Sequence, residues 1–93
     1  MKIELTSDTI KKYGRPCGRT EVRAIDDGGE ERGFAWAEQN YSDADLWTAY
    51  RWSDLVGPVV LRSPLTKDEA IAEARRHVSV ESLRKRLAME ARS

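Results

Sequence analysis

Two side chains of this sequence have the chemistry for covalent catalysis, Cys17 and His77, and each residue type occurs once. A thiol beside an imidazole is the least that thiol catalysis requires. Cys17 stands in Arg15-Pro16-Cys17-Gly18-Arg19, where two guanidinium groups favour the thiolate. No third group is spaced to orient the imidazole. A histidine near a helix end also serves by binding the last carbonyls. One Cys and one His do not complete a tetrahedral zinc site without carboxylates. A single cysteine also excludes an internal disulfide, which suits a reducing compartment, and a cytoplasmic location is expected.

The carboxylates come closer to a site. Asp43-Ala44-Asp45, Asp26-Asp27 and Glu30-Glu31 are the spacings from which cation sites and acid–base pairs are built. A calcium loop begun at Asp43 fails at once: position 5 is Trp47, and position 12 is Asp54 rather than Glu. Turn chemistry explains these acids better, because Asp side chains bind the backbone of tight turns. Gly28, Gly29 and Gly33 match neither phosphate-loop pattern and read as turn glycines. The sequence therefore points to no catalytic residue, no metal and no cofactor, and a non-enzymatic protein is expected.

Charge distribution carries more information. Lysine plus arginine balance aspartate plus glutamate at 16 each, so no global field draws the chain to nucleic acid or membrane. The balance hides segregation. Residues 26–54 hold Asp26, Asp27, Glu30, Glu31, Glu38, Asp43, Asp45 and Asp54 against Arg32 and Arg51. Residues 75–92 hold Arg75, Arg76, Arg84, Lys85, Arg86 and Arg92 against Glu81 and Glu90. An acidic strand-and-loop surface offers itself to a basic protein partner, and a basic helix to phosphates. Both runs also read as solvated faces, and late cations complement a helix dipole with no ligand at all. Trp36, Trp47, Tyr50 and Trp52 lie on adjacent segments, where they serve as core, as a stacking platform or as a protein hot spot.

These groups must be positioned by one small domain, since 93 residues bury one modest core. The segment 1–62 carries strand and turn signals, and 66–91 is helical. Lys2–Leu5 alternates as a first strand. Thr6-Ser7-Asp8, with Ile10 and Tyr13 at helical spacing and Gly14 as a stop, predicts a short helical turn. Thr20–Ile25 and Gly33–Glu38 read as two arms of a hairpin about Asp26-Asp27-Gly28-Gly29. Leu46–Trp52 and Pro58–Arg62 follow as strands. Trp47, Ala49 and Arg51 fall on one face of their strand and Leu46, Thr48, Tyr50 and Trp52 on the other, so one of Trp47 and Trp52 is core and the other lies outside.

Thr66-Lys67-Asp68-Glu69 has the form of a helix capping box, with Leu65 and Ala70 as a hydrophobic staple. Ala70, Ile71, Ala74 and Val78 form one apolar stripe. Ser79 reads as the cap of a second helix, with Val80, Leu83, Leu87 and Ala91 on one face. The expected fold is α+β: a mainly antiparallel sheet of four or five strands, covered on one face by a C-terminal helix, with a second C-terminal helix. Short connections exclude parallel neighbours. Met1-Lys2-Ile3-Glu4-Leu5 has no signal-peptide core, and no apolar run spans a bilayer, so no membrane association is expected.

Trp-bearing strands followed by a Thr-x-x-Glu-Ala helix resemble, over residues 32–78, the layout of the small three-stranded DNA-binding domains of phage integrases. The likeness is one of sheet-then-helix patterning and assigns no role to any residue. The favoured expectation is a small protein-binding module, an adaptor, accessory subunit or inhibitor of the kind phages and mobile elements encode. It would act through Asp26, Asp27, Glu30, Glu31, Asp43, Asp45, Asp54 and Trp47, with a protein partner or a second copy. The alternative is a nucleic-acid binder using Arg75, Arg76, Arg84, Lys85 and Arg86.

Overall fold

The structure is a computed structural model that describes residues 1–92, apart from the side chains of Met89 and Arg92. Arg92, one of the late bases, thus has its side chain outside the described residues. Five strands precede one helix: β1 (Lys2–Lys12), β2 (Arg15–Ile25), β3 (Glu31–Gln39), β4 (Trp47–Ser53), β5 (Gly57–Leu65) and α1 (Lys67–Arg92). The strands pair in sequence order, every neighbour antiparallel. The expected α+β sheet-and-helix architecture is present, with two corrections.

The first correction is at residues 6–13. They form no helical turn but complete an unbroken β1, paired from Lys2↔Ile25 to Lys12↔Arg15. Gly14 is not a helix stop. Tyr13 (φ 50°) and Gly14 (φ 77°) are the two central residues of a tight hairpin, where both need positive φ. Ladder pairing along the whole strand outweighs the weak local helical spacing.

The second correction is at the C-terminus, where there is one continuous helix rather than two. Ser79 does not cap a new helix: its hydroxyl donates to the Arg75 carbonyl one turn back. Nothing at 79–80 breaks the helix, since neither Ser nor Val removes a backbone donor as proline does. Its start is as expected. The Thr66 hydroxyl accepts from the Glu69 N–H at 3.2 Å, and the Glu69 carboxylate accepts from the Thr66 N–H at 3.1 Å. The backbone and hydroxyl hydrogen bonds of Thr66 hold the Glu69 carboxyl below the usual carboxylate range.

Small residues govern how the two layers meet. The helix lies mainly along β3 and presents Ala70, Ala74 and Val78 to Val22, Ala24, Ala35, Ala37 and Ala49, all fully buried. Leu65 and Trp47 close one end of this core. Gly33 sets the closest approach: a Cβ there would lie 2.8 Å from the Val78 carbonyl oxygen. A Cβ on Gly18 would lie 2.9 Å from the Trp47 ring, which folds across that position of β2. Helix burial ends at Ser82, and the described side chains from Leu83 onward are exposed. The second half of the stripe thus leaves the sheet, because about 39 Å of helix outruns strands of seven to eleven residues.

Candidate functional site

The meander separates the acidic residues proposed from sequence. Asp26, Asp27, Glu30 and Glu31 belong to the β2–β3 tip, and Asp54 to the β4–β5 tip at the same end of the sheet. Asp43 and Asp45 sit in the β3–β4 loop at the opposite end. Most of them already have structural work. Asp26 accepts from the N–H groups of Gly28 and Glu30, each at 2.9 Å, and from Arg32 Nε at 2.8 Å. The Glu30 amide first, then Arg32 and the Gly28 amide, hold its carboxyl below the ordinary range. Glu30 pairs with Arg32 and Glu31 with Arg23. Asp27 faces the N-terminal ammonium. Asp43 accepts from the Asp45 N–H at 3.0 Å, closing its own turn. Trp47, named with them, is buried on the helix side. Lys67 lies over its ring.

The remaining acids near the sheet are paired as well. On the face away from the helix, Lys12 pairs with Glu38, Arg19 with Asp8 and Glu21, and Arg23 with Glu21 and Glu31. Burial draws the Lys12 pKa down, but the hydrogen bond and attraction of Glu38 outweigh it and leave the ammonium more basic than usual. Phe34, Trp36 and Tyr50 stack across β3 and β4, with centroids 5.4 and 5.3 Å apart. Arg23 caps this row over Phe34. Trp36 is only 8% exposed, so the row is a second small core roofed by ion pairs rather than a free stacking platform.

Cys17 and His77 are not brought together. Cys17 is buried in β2 opposite Ile10, near Lys12 on the open side of the sheet. His77 lies on the helix, which covers the other side, and pairs with Glu81 at 3.1 Å.

The feature that sequence reasoning passed over is the β4–β5 hairpin. Trp52 is 53% exposed, Leu55 94%, Val56 72% and Val60 56%, and Pro58 is exposed beside them. The parity argument about Trp47 and Trp52 thus resolves with Trp52 outside. Its ring lies over Gly57, whose φ of 79° turns the chain back. The signal was present in the sequence, since Leu55-Val56 puts two large apolar residues at a turn tip that normally favours polar ones.

Two concavities meet at Trp52. On the open face, a cleft of about 300 Å³ runs between Trp52, Pro58, Phe34 and Trp36, with Arg19, Glu21 and Glu38 as its charged rim. On the helix side, a groove of about 670 Å³ lies between the end of β4 and the free half of α1, lined by Arg51, Trp52, His77, Val80, Glu81, Arg84, Lys85 and Ala88. The basic set proposed from sequence is divided accordingly. Arg84 and Lys85 line this groove. Arg76 lies over the packed half of the helix and pairs with Glu73, and that hydrogen bond holds the Glu73 carboxyl below its usual value. Arg75 and Arg86 are exposed.

Among the described residues no three His, Cys, Asp or Glu side chains gather as a metal would require. No described helix is long and apolar enough to cross a membrane. The chain matches no family model, no curated protein and no solved structure.

Proposed function

We propose that this protein is a non-enzymatic protein-binding module whose contact surface is centred on Trp52 of the β4–β5 hairpin. One observation carries the reading: five large or rigid apolar residues, Trp52, Leu55, Val56, Pro58 and Val60, stand exposed on one hairpin. Contiguous exposed apolar surface costs solubility and marks an interaction site. A tryptophan flanked by aliphatic residues and a charged rim has the make-up of an interface hot spot. Antiparallel pairing of Trp52 with Pro58 of β5, next to the Ala35↔Arg51 pair that ends the β3–β4 ladder, holds the ring on a rigid scaffold, which lowers the entropy lost on binding.

This moves the expected surface. The acidic residues are divided between the two ends of the sheet and largely committed to turns and ion pairs, so they do not compose one face. The nucleic-acid alternative draws on Arg84 and Lys85, the two of its five cations that line one groove, while Arg76 is already paired with Glu73.

The test is capture from the cells that make the protein, with wild-type and Trp52→Ala baits compared by quantitative mass spectrometry. A partner recovered by the first and depleted at least tenfold by the second supports the reading. Equal recovery by both would sink it. Circular dichroism of the variant serves to show an unchanged fold.

A further inference from the structure

We infer that the groove between β4 and the free half of α1 receives an acidic, apolar-bearing segment of the partner protein. The inference rests on the Trp52 reading above and extends it to partner chemistry.

The argument begins with which cations are free. Lys12, Arg19, Arg23, Arg32 and Arg76 each have a carboxylate partner. Among the described residues that form no ion pair, Arg51, Arg84 and Lys85 line one groove, while Lys11, Arg15, Arg62, Lys67, Arg75 and Arg86 lie outside it. The nearest candidate acid on the helix, Glu81, sits one turn before Arg84 and Lys85 and pairs with His77 instead. The groove therefore gathers three cations without an ion-pair partner between one strand end and one helix. Two adjacent unpaired cations on a helix, beside an arginine at the end of a strand, favour carboxylates or phosphates.

The apolar part of the lining decides between these. Val80 lies in the groove and Trp52 forms the edge where it meets the open face; both are about half exposed, at 48% and 53%. Leu55 and Val56 extend the apolar surface at the hairpin tip. A phosphate backbone has no aliphatic side chain to place against Val80, Leu55 and Val56. A peptide that alternates Asp or Glu with bulky aliphatic or aromatic residues satisfies both linings: carboxylates to Arg51, Arg84 and Lys85, apolar side chains to Trp52 and Val80. A second copy docking helix to helix does not fit, since its own free helix would bring Arg84, Lys85 and Arg86 against the same cations.

The experiment is selection from a displayed library of random twelve-residue peptides on three immobilised baits: wild type, Arg84→Glu/Lys85→Glu and Trp52→Ala. Each pool is then sequenced, and synthetic winners are titrated by fluorescence anisotropy at low and physiological salt. A twenty-nucleotide single-stranded DNA is titrated beside them. The expected result is enrichment of Asp and Glu together with Leu, Phe or Trp on wild type. The charge-reversed bait should lose those peptides at least tenfold and enrich Lys and Arg instead. Apolar peptides without acids, lost only on Trp52→Ala, would overturn the acidic inference and leave the hot spot standing. Acidic winners retained by Trp52→Ala would overturn the hot-spot reading while the charge preference held. DNA bound more tightly than any peptide, or no enrichment on wild type, would overturn the inference.

Discussion

The two hairpin tips at one end of the sheet are built on opposite principles. The β2–β3 tip is polar and closed on itself. Asp26 gathers the Gly28 and Glu30 amides and Arg32, and Gly29 (φ 82°) supplies the conformation that completes the turn. The β4–β5 tip spends its residues differently. Beyond the Ser53↔Gly57 ladder pair, the described side-chain bond within it is weak, the Leu55 N–H to the Ser53 hydroxyl at 3.3 Å, and Leu55 and Val56 are exposed. The first tip uses its side chains to hold the backbone. The second leaves large apolar side chains exposed at its tip. Such a difference within one sheet separates a tip whose side chains hold its own turn from one whose side chains are left to solvent.

The contrast can be broken by exchanging effects between the tips. The largest expected change is in binding: Trp52→Ala should weaken the captured partner by about 2 kcal/mol or more, as hot-spot truncations do. Titration calorimetry with that partner measures it, and a loss below threefold would remove Trp52 from the centre of the surface.

A comparable change in stability, with no change in partner affinity, is expected from Gly33→Ala. The new methyl group would meet the Val78 carbonyl at 2.8 Å, and overpacking of this kind costs ~1–3 kcal/mol. Urea unfolding reads it directly; an unchanged midpoint would mean that α1 does not lie this close to β3. Thr66→Ala, which removes the hydroxyl of the capping box, should cost about 1 kcal/mol in the same assay.

The two tips themselves give a double dissociation. Leu55→Ser with Val56→Ser should leave the melting temperature unchanged or raise it slightly while reducing partner capture. Asp26→Asn should lower the melting temperature while leaving capture intact. Its pH signature sharpens the point. The Asp26 carboxyl titrates lower in the folded chain than in the unfolded one, so its stabilising contribution is fully present above the ordinary carboxylate range. It is lost as pH falls through the depressed folded value, below about pH 4. Acid melting of Asp26→Asn should therefore lack part of the wild-type loss in that window. Identical acid profiles would mean that the turn does not depend on the charged carboxylate.

Several features were legible in the residues alone. The capping box Thr66/Glu69, the Ala70–Ala74–Val78 stripe, the turn at residues 26–29 and the opposite faces of Trp47 and Trp52 all follow from local rules: a hydroxyl within reach of an amide, a period of 3.6 or of 2, and glycine at positive φ. These depend on neighbours within a few residues, and the chain carries them wherever it goes. The misread segment, 6–13, shows the boundary of that reasoning. Its spacing suited a helix, but eleven ladder pairs with β2 are available only once both strands exist.

Tertiary structure decided the rest, because charge and exposure are properties of what lies opposite. Sequence counted an acidic run over 26–54 and a basic run over 75–92. Only the meander divided the first between two ends and neutralised most of it, through partners as distant as Lys12 for Glu38. Only the length of α1 relative to the sheet freed its last turns, and only the end of β4 beside it placed Arg51 and Trp52 against Arg84 and Lys85. The sequence determined most of the strands and the capped start of α1, but neither the full length of β1 nor the continuity of the helix. Which tryptophan faces solvent as core or contact, and which cations stay unpaired, were settled by packing, since both are fixed by residues far apart along the chain.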